Sequence, residues 1–400
     1  MGRVDSNSGE RAFSIQRCVG MLHQNKHVVR EEGLKDLVAE LEGYVPPEEI
    51  TDRRHEYDQA LSRCFSFLST VGSAKERKDA YRAIAIYALT VVGYQAENIL
   101  DRLFDLDRLT AELTPSSASE AERAVAAINC LTAVTLVCTK KAAAAKRTLK
   151  AVCEVIDQTT FPQVLAAALS AWTLLLPRAG NLRAMTPFKV IAKHLTADHP
   201  AVRMAAGEAL AVCIERNHRP YQPDPPEEYR YRYYRYRPRE PKPEDRPSLE
   251  SRVAELAAGV DAHKKEHAEE RILFRQIKDL FEANPPGSGD QDEYDEGKDE
   301  EEEEEESSGC RLKVNKTTWV KLVLVNFLRQ YLGEEGFAAH LELNVPLFRD
   351  SLGLTRAAGG GAQEKKSVPA QEMKQIRNGR DKQRTKEMKK DRQNKNKHYC

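Results

Sequence analysis

Residues 165–215 read LAAALSAWTLLLPRAGNLRAMTPFKVIAKHLTADHPAVRMAAGEALAVCIE, and they decide the fold class of this chain. The first half repeats large apolar residues every three or four positions, which is the spacing of one helix face. These residues are Leu165, Leu169, Trp172 and Leu176. The second half repeats smaller apolar residues with the same period: Val202, Ala205, Ala206, Ala209, Leu210 and Cys213. The stretch therefore predicts two consecutive amphipathic helices.

The start of the second helix is typical of a stacked repeat. Asp198 can accept hydrogen bonds from the N–H groups of the first turn, and Pro200 is tolerated that early. We expect Arg203 to point along the stack toward an acidic group in the next repeat. The small side chains around Gly207 would let a neighbouring helix approach closely. This pattern matches a HEAT-type repeat helix. An ordinary core helix pair in a bundle is the alternative, and both interpretations are all-α.

Helical periodicity recurs from Arg11 to about Arg216, whereas signals for strands and hairpins are almost absent. Roughly ten helices at a pair spacing of about 40 residues favour a solenoid, in which stacking neighbours bury each other's apolar faces. The sequence thus predicts an all-α, ARM/HEAT-like helical repeat solenoid with a small helical C-terminal domain and a basic C-terminal tail helix.

Changes in composition predict the domain boundaries. The expected segments are a disordered N-terminus at 1–10, a repeat domain at 11–284 with a Pro/Tyr/Arg-rich insertion at 221–247, an acidic disordered linker at 285–311, a small C-terminal helical domain at 312–356, and a flexible joint and basic tail at 357–400. Within them, Ser248–Glu282 is predicted as one long helix. Trp319 is predicted to start another helix, which Gly333 and Gly336 end in a turn.

The total numbers of basic and acidic residues are balanced, but the two kinds of charge are concentrated in different segments of the chain. Lys plus Arg and Asp plus Glu both number 62, so the formal net charge is zero. The eight cysteines include no C-x-x-C pair, and we interpret them as buried, reduced thiols of an intracellular protein. No apolar stretch is long enough to span a membrane, and the N-terminus has no apolar signal region. We expect a cytoplasmic protein that can also enter the nucleus, without a membrane partner.

The C-terminal tail carries most of the segregated positive charge. Its predicted RNA-binding cations are Lys374, Arg377, Arg380, Lys382, Arg384, Lys386, Lys389, Lys390, Arg392, Lys395 and Lys397. Such a series can displace the counterions condensed on a nucleic acid, so affinity should fall steeply with salt. The alternatives are a nuclear-localisation signal or a solvated tail.

A second segment pairs aromatic rings with guanidinium groups. It comprises Tyr229, Arg230, Tyr231, Arg232, Tyr233, Tyr234, Arg235, Tyr236 and Arg237. These side chains suit stacking on unpaired RNA bases, although an extended solvated linker is the alternative. The acidic run from Asp290 to Glu306 is either a solubilising spacer or a mimic of RNA that covers the basic tail in the free protein.

The sequence contains no catalytic motif: G-x-G-x-x-G, a Walker loop, H-E-x-x-H and G-x-S-x-G are all missing. His263 and His267 lie one helical turn apart around Glu266, which could form part of a metal site, but a solvated charged face is the favoured interpretation. We therefore predict no catalytic residue, no metal, no cofactor and no small-molecule substrate, and the chain is not expected to be an enzyme.

Several blocks resemble the interferon-related developmental regulator family over most of residues 50–400. Leu169–Leu176 and Val202–Ala211 are similar to its N-terminal domain, and Arg271–Arg275 to the end of that domain. The similarity to its small C-terminal domain rests on Trp319, Val320, Lys321, Phe327, Leu332, Gly333, His340, Leu341, Asn344, Leu347, Arg349, Asp350, Gly353 and Leu354. The basic tail follows in the same order as in the family.

The resemblance implies a helical scaffold without enzymatic activity. Family members are associated with binding translationally inactive ribosomes, where a C-terminal helix enters the mRNA channel, and with transcriptional co-regulation. That helix corresponds here to about Gln371–Lys397. The first hypothesis is therefore a factor that binds rRNA and ribosomal proteins and holds ribosomes inactive by steric occlusion. The alternatives are a nuclear co-regulator that holds transcription regulators on the solenoid, and an RNA-binding adaptor acting through the Tyr/Arg segment. A basic series along the whole tail favours the ribosome, because import needs only a short cluster.

Overall fold

The computed structural model describes residues 15–179, 187–217, 245–259, 268–283 and 318–352. All regular secondary structure within these ranges is helical, and none of it is strand. No described helix has the length and apolar character needed to cross a membrane. The predicted all-α class is confirmed.

The helices follow one another along the chain, with short connections from the first helix as far as residue 175. They are α1 (15–22), α2 (His27–Glu42), α3 (Pro47–Asp52), α4 (Arg54–Ser66), α5 (Ala74–Val91), α6 (Tyr94–Phe104), α7 (Leu109–Leu113), α8 (Ala118–Leu136), α9 (Lys141–Gln158), α10 (Pro162–Leu175), α11 (Pro187–Leu195), α12 (Pro200–Asn217), α13 (Asp245–Ala258), α14 (Ala268–Ala283) and α15 (Trp319–Leu343). A π-helical turn extends α4 at Phe67–Val71, another follows α15 at Pro346–Ser351, and a 3-10 turn extends α10 at Leu176–Arg178.

Two layers of helices build the solenoid. Helices α2, α5, α8, α10, α12 and α14 stack in this order, each against the next, and form an inner layer. Helices α4, α6, α9, α11 and α13 pack on its other side as an outer layer. Burial is most complete in the central inner helices: in α5, Ile84, Ala85, Ile86, Ala88 and Leu89 have no exposed surface. This stacking confirms the predicted helical repeat solenoid, because no helix pair could bury such a surface alone.

Local signals in the sequence explain where several helices begin. At α5, the hydroxyl of Ser73 accepts a hydrogen bond from the Glu76 N–H, and the Glu76 carboxylate accepts one from the Ser73 N–H. This reciprocal pair is a capping box, which satisfies two of the free donors at a helix start. Ser117 caps α8 and Thr318 caps α15 with their hydroxyl groups.

The close helix approach predicted around Gly207 is present. A Cβ atom at Gly207 would lie 3.0 Å from the Phe274 ring and 3.1 Å from Ile277, both on α14. The missing side chain therefore lets α12 and α14 come together. The predicted cap of α12, in contrast, is wrong. Because Pro200 begins the helix, the residue before it is the cap, and the His199 ring nitrogen Nδ1 accepts the N–H of Ala201.

The single long helix predicted over Ser248–Glu282 is also wrong. Helix α13 ends at Ala258, and α14 begins at Ala268 and packs back against it. Gly259 has a φ of +67°, a left-handed conformation in which glycine commonly ends helices. Its N–H still donates to the Glu255 carbonyl, as expected at such an end. Charge and periodicity continue on both sides of Gly259, so the apolar pattern alone did not reveal the break.

The cysteines within the described ranges form no disulfide, and most are buried as predicted. Burial raises the pKa of the Cys64 thiol to about 12, and that of the half-buried Cys153 thiol to about 11. Thiols with raised pKa values are poor nucleophiles and poor metal ligands. Cys310 and Cys400 lie outside the described residues.

Candidate interaction surface

Arginine and glutamate side chains lock consecutive inner helices in register. Arg203, in the first turns of α12, pairs with Glu270 of α14, with an Nε–Oε1 distance of 2.5 Å and an Nη2–Oε2 distance of 2.8 Å. Its Nη1 donates to the carbonyls of Ala197 and Asp198 in the preceding turn. The predicted contact of Arg203 with an acidic group in the next repeat is thus confirmed.

The same arrangement recurs at the other end of the inner layer. Arg30 of α2 donates from Nε to Glu76 of α5 at 2.6 Å. Its Nη1 donates to the carbonyls of Gln24 and Asn25, which precede it by six and five residues, as Ala197 and Asp198 precede Arg203. Each arginine is the fourth residue of its helix, and each glutamate the third of the next inner helix. The structure thus shows that Arg and Glu occupy equivalent positions in two pairs of inner helices, a repeat that self-similarity of the sequence does not show.

Helix α15 crosses the inner layer and packs on α2, α10 and α12. Its start is held by α12, because the Glu215 carboxylate accepts the N–H groups of Trp319 at 2.7 Å and Val320 at 3.2 Å. Near its middle, Arg82 of α5 donates to the Tyr331 carbonyl at 3.3 Å. A carboxylate at the positive end of the helix also complements its dipole.

The far end of α15 is joined to α2 and α5 by a buried polar network. Nε2 of His340 lies 3.1 Å from the Leu41 carbonyl, and Nδ1 lies 3.3 Å from Nδ2 of Asn344. Asn344 also donates to the Leu89 carbonyl at 2.9 Å. The carbonyl of Leu41 can only accept and the amide nitrogen Nδ2 of Asn344 can only donate, so His340 is neutral and protonated on Nε2. Burial lowers the pKa of His340 to about 4.

The chain just beyond α15 packs back against the end of α15. The side-chain oxygen of Asn344 accepts the N–H of Leu347, and the rings of Phe337 and Phe348 meet edge to face with centroids 5.7 Å apart. The described residues 318–352 belong to one compact unit with the described helices of the solenoid. The predicted domain boundaries stay predictions.

The two predicted glycine turns have different outcomes. Gly333 kinks α15 with a φ of +73°, which confirms a change of direction there. Gly336, however, lies inside the second half of the helix, and its position allows close packing on α2. A Cβ atom at Gly336 would lie 3.2 Å from the Glu42 carbonyl oxygen. Gly336 therefore allows α15 to pack closely on α2 and does not form a turn.

All residues predicted to bind RNA lie outside the described residues, both the tail cations from Lys374 to Lys397 and the segment Tyr229–Arg237. His263 and His267 are outside them as well. In the part of the chain that is described, no group of three or more His, Cys, Asp or Glu side chains could hold a metal ion. A cavity of about 10 Å³ between α2, α4 and α5 is lined by apolar side chains and the rings of Tyr57 and Tyr87, and it holds no more than a water molecule.

The attachment of α15 through Glu215, Arg82, His340 and Asn344 is the structural feature that sequence reasoning missed. Glu215 and Arg82 carry no signal that distinguishes them from ordinary surface charges. His340 and Asn344 do carry one, because they lie four residues apart on a helix face that is otherwise apolar. Polar residues at such positions need buried partners.

Comparison with known protein families shows which family this chain belongs to. Residues 4–282 match the family described as interferon-related developmental regulator, which is more than half of the chain. The chain belongs to this family. The match spans the helices through α14, so α15 lies beyond the matched range of the interferon-related developmental regulator domain.

Two further comparisons add no functional information. No curated protein sequence matches the chain. Among solved structures, the crystal structure of an engineered protein matches at 14% identity and a TM-score of 0.36, covering 84% of this chain and 73% of that one. At this TM-score the likeness supports no conclusion about fold or function.

Proposed function

We propose that this family member is a non-enzymatic factor that binds translationally inactive ribosomes. In this proposal, the basic C-terminal helix, about Gln371–Lys397, lies along the rRNA-lined mRNA channel. The observation that carries the proposal is the distribution of cations, which recur along the whole segment rather than in one short cluster. As a helix, this segment would be about 40 Å long, enough to follow a channel rather than a single groove.

The described residues support this proposal because the last described helix before the tail is firmly attached to the solenoid. Helix α15 is fixed to α12 through Glu215 and to α2 and α5 through His340 and Asn344. The tail therefore starts within a few tens of residues of an anchored helix. Occlusion of a ribosomal site requires such a body and a charged extension, and it requires no nucleophile, metal or perturbed acid.

The alternative, a nuclear co-regulator that holds peptides on the solenoid, has less support. Helix α15 packs on the inner layer at α2, α10 and α12, where a repeat protein of this kind offers its extended binding surface. A peptide partner would have to displace α15 or bind elsewhere. The length of the basic series also exceeds what an import signal needs.

Sedimentation of a cell lysate through a sucrose gradient tests the proposal. The full chain is compared with a chain that ends at Ala362, at low and at high salt. A deletion of Tyr229–Arg237 is the matched control, because it removes basic residues from another segment and leaves the tail intact. We expect the full chain and the control to migrate with monosomes but not with polysomes, and the shortened chain to stay at the top.

High salt should also release the full chain, because the proposed contacts are with phosphates. A full chain that remains at the top at every salt concentration would contradict ribosome binding and favour the co-regulator. If only the chain lacking Tyr229–Arg237 failed to migrate with monosomes, the RNA contact would be assigned to that segment and not to the tail.

A further inference from the structure

Charges on helix α9 oppose its macrodipole. Lys140 and Lys141 lie at its start, where the partial charge is positive, and Asp157 lies in its last turn, where it is negative. Several other helices have the favourable order, although α2 has acidic residues in its last turn as well. The first turns of α5, α6, α8 and α14 contain Glu76, Glu97, Glu120, and Glu269 with Glu270, and the last turns of α4 and α6 contain Arg63 and Arg102. The charges of α9 are thus not arranged for helix stability.

An exposed pair of lysines lies further along the same half of α9. Lys146 and Lys150 are both exposed, are one helical turn apart, and form no ion pair with any residue that the structure describes. Two neighbouring cations behave differently: Lys140 pairs with Glu97 at 3.6 Å, and Arg147 pairs with Asp101 at 2.5 Å, both on α6. Like charges at this spacing destabilise a helix, so the pair is locally unfavourable as well.

The chemistry around the pair indicates the class of partner. The exposed positions one turn earlier are Ala142 and Ala143, and no aromatic side chain is exposed on this face of α9. One turn later lies a single exposed acid, Glu154, so the positive surface is confined to the first half of the helix. Protein interfaces are enriched in aromatic residues and arginine and depleted in lysine. Lysine ammonium groups bind phosphates as compact point charges, and small neighbours let a sugar–phosphate backbone come close to the helix.

We propose that the exposed face of α9 around Lys146 and Lys150 is a second RNA-binding surface, which contacts the phosphates of an RNA duplex. That this duplex is ribosomal rests on the proposed function. The surface belongs to the outer layer of the scaffold, so it would hold the solenoid itself against RNA, independently of the tail.

Binding of the full chain to a fluorescent RNA duplex tests this inference without ribosomes. The duplex has about 40 bp, longer than the ~16 bp that one double-stranded RNA-binding domain covers. In the double variant K146Q/K150Q, we expect weaker binding and a slope of log affinity against log salt that is smaller by about 2, since each lost phosphate contact lowers it by about 1. The matched control is K35Q/R275Q, which removes two exposed cations of α2 and α14 without ion pairs among the described residues; its slope should equal that of the unmodified chain.

Thermal unfolding separates binding from folding. Because the glutamines remove a repulsion and are good helix formers, the unfolding midpoint of K146Q/K150Q should stay the same or rise while RNA affinity falls. A slope equal to that of the control would overturn the inference, and the face would then be better suited to an acidic protein. The sucrose gradient reports separately on ribosome binding. If the full chain does not migrate with monosomes but K146Q/K150Q still shows a reduced salt slope with the RNA duplex, the ribosome is rejected as the partner and the RNA-binding surface is retained.

Discussion

His340 makes the attachment of α15 sensitive to acid. Its ring has no exposed surface and uses both nitrogens, with the Tyr44 ring edge-on at 5.3 Å. The pKa of about 4 in the folded state is below the ordinary value near 6.5 expected in the unfolded chain. The unfolded chain therefore binds a proton between pH 6.5 and 4 that the folded chain does not, and the free energy of unfolding falls as the pH is lowered through that window.

We expect this one group to remove up to about 3 kcal/mol of stability by pH 4, from 1.36 kcal/mol for each unit of pKa shift. Urea unfolding between pH 7 and pH 4.5 measures the effect. His340→Gln is the control, because an amide can still donate to the Leu41 carbonyl but does not titrate. Other groups contribute equally to both chains, so the difference between the two pH profiles isolates His340. Parallel profiles would show that His340 titrates normally.

The pair of Arg203 and Glu270 gives a second prediction at this scale. Glu270 is buried, so Arg203→Met leaves a buried carboxylate without its main partner. Removing one partner of such a pair costs about 3–5 kcal/mol, and Glu270→Gln in the same chain should restore much of the loss. Lys78→Met is the control, since Lys78 and Glu122 form an exposed pair worth about 0–1 kcal/mol. Equal losses from R203M and K78M, measured by urea unfolding, would contradict the proposed locking of the inner layer.

At the scale of elements, the kink of α15 depends on one backbone conformation. Gly333 has a φ of +73°, and a Cβ atom there would have no atom within 4 Å. The ψ of 164° at Gly333 places it in a region that is essentially restricted to glycine, so Gly333→Ala should destabilise through the backbone alone, by about 1–3 kcal/mol. Gly20 is a matched control: it also has open space around it, but its φ is not positive and it lies within α1.

Because alanine has the higher helix propensity, Gly20→Ala should be neutral or stabilising by up to ~1 kcal/mol. Chemical denaturation of both variants provides the comparison. If Gly333→Ala is as stable as Gly20→Ala, the kink is not fixed by the left-handed conformation, and α15 can straighten without loss.

The elements also show which parts of the fold can be predicted from sequence. Period and small residues predicted α10 and α12, their stacking, and the direction of Arg203, because in a solenoid each helix faces the next repeat, and the helix pattern itself is local. The end of α13 at Gly259 was missed, since charged helix formers surround it on both sides. The docking of His340 on Leu41 was missed for another reason: it joins residues 299 positions apart, and no local pattern specifies such a contact.

At the scale of the whole molecule, opposite charges are concentrated in two segments, the acidic run and the basic tail. If Asp290–Glu306 covers the tail in the free protein, deleting 290–306 should strengthen RNA binding, and most strongly at low salt. Replacement of Glu300–Glu306 by serines is the control for length, because it removes charge and keeps the number of residues. Fluorescence titration with single-stranded RNA measures both. Unchanged affinity in both variants would leave the run as a spacer.

The packing of α15 also has a consequence for the time at which the fold is completed. Solenoids can fold progressively as each repeat leaves the translating ribosome, because every repeat needs only its neighbour. Here the partner of the Leu41 carbonyl is 299 residues away. At a synthesis rate of about 5–20 residues per second, α2 waits roughly 15–60 s for α15. During that interval the surface of the inner layer on which α15 packs is exposed in the nascent chain, and we expect chaperones to bind the protein at that stage.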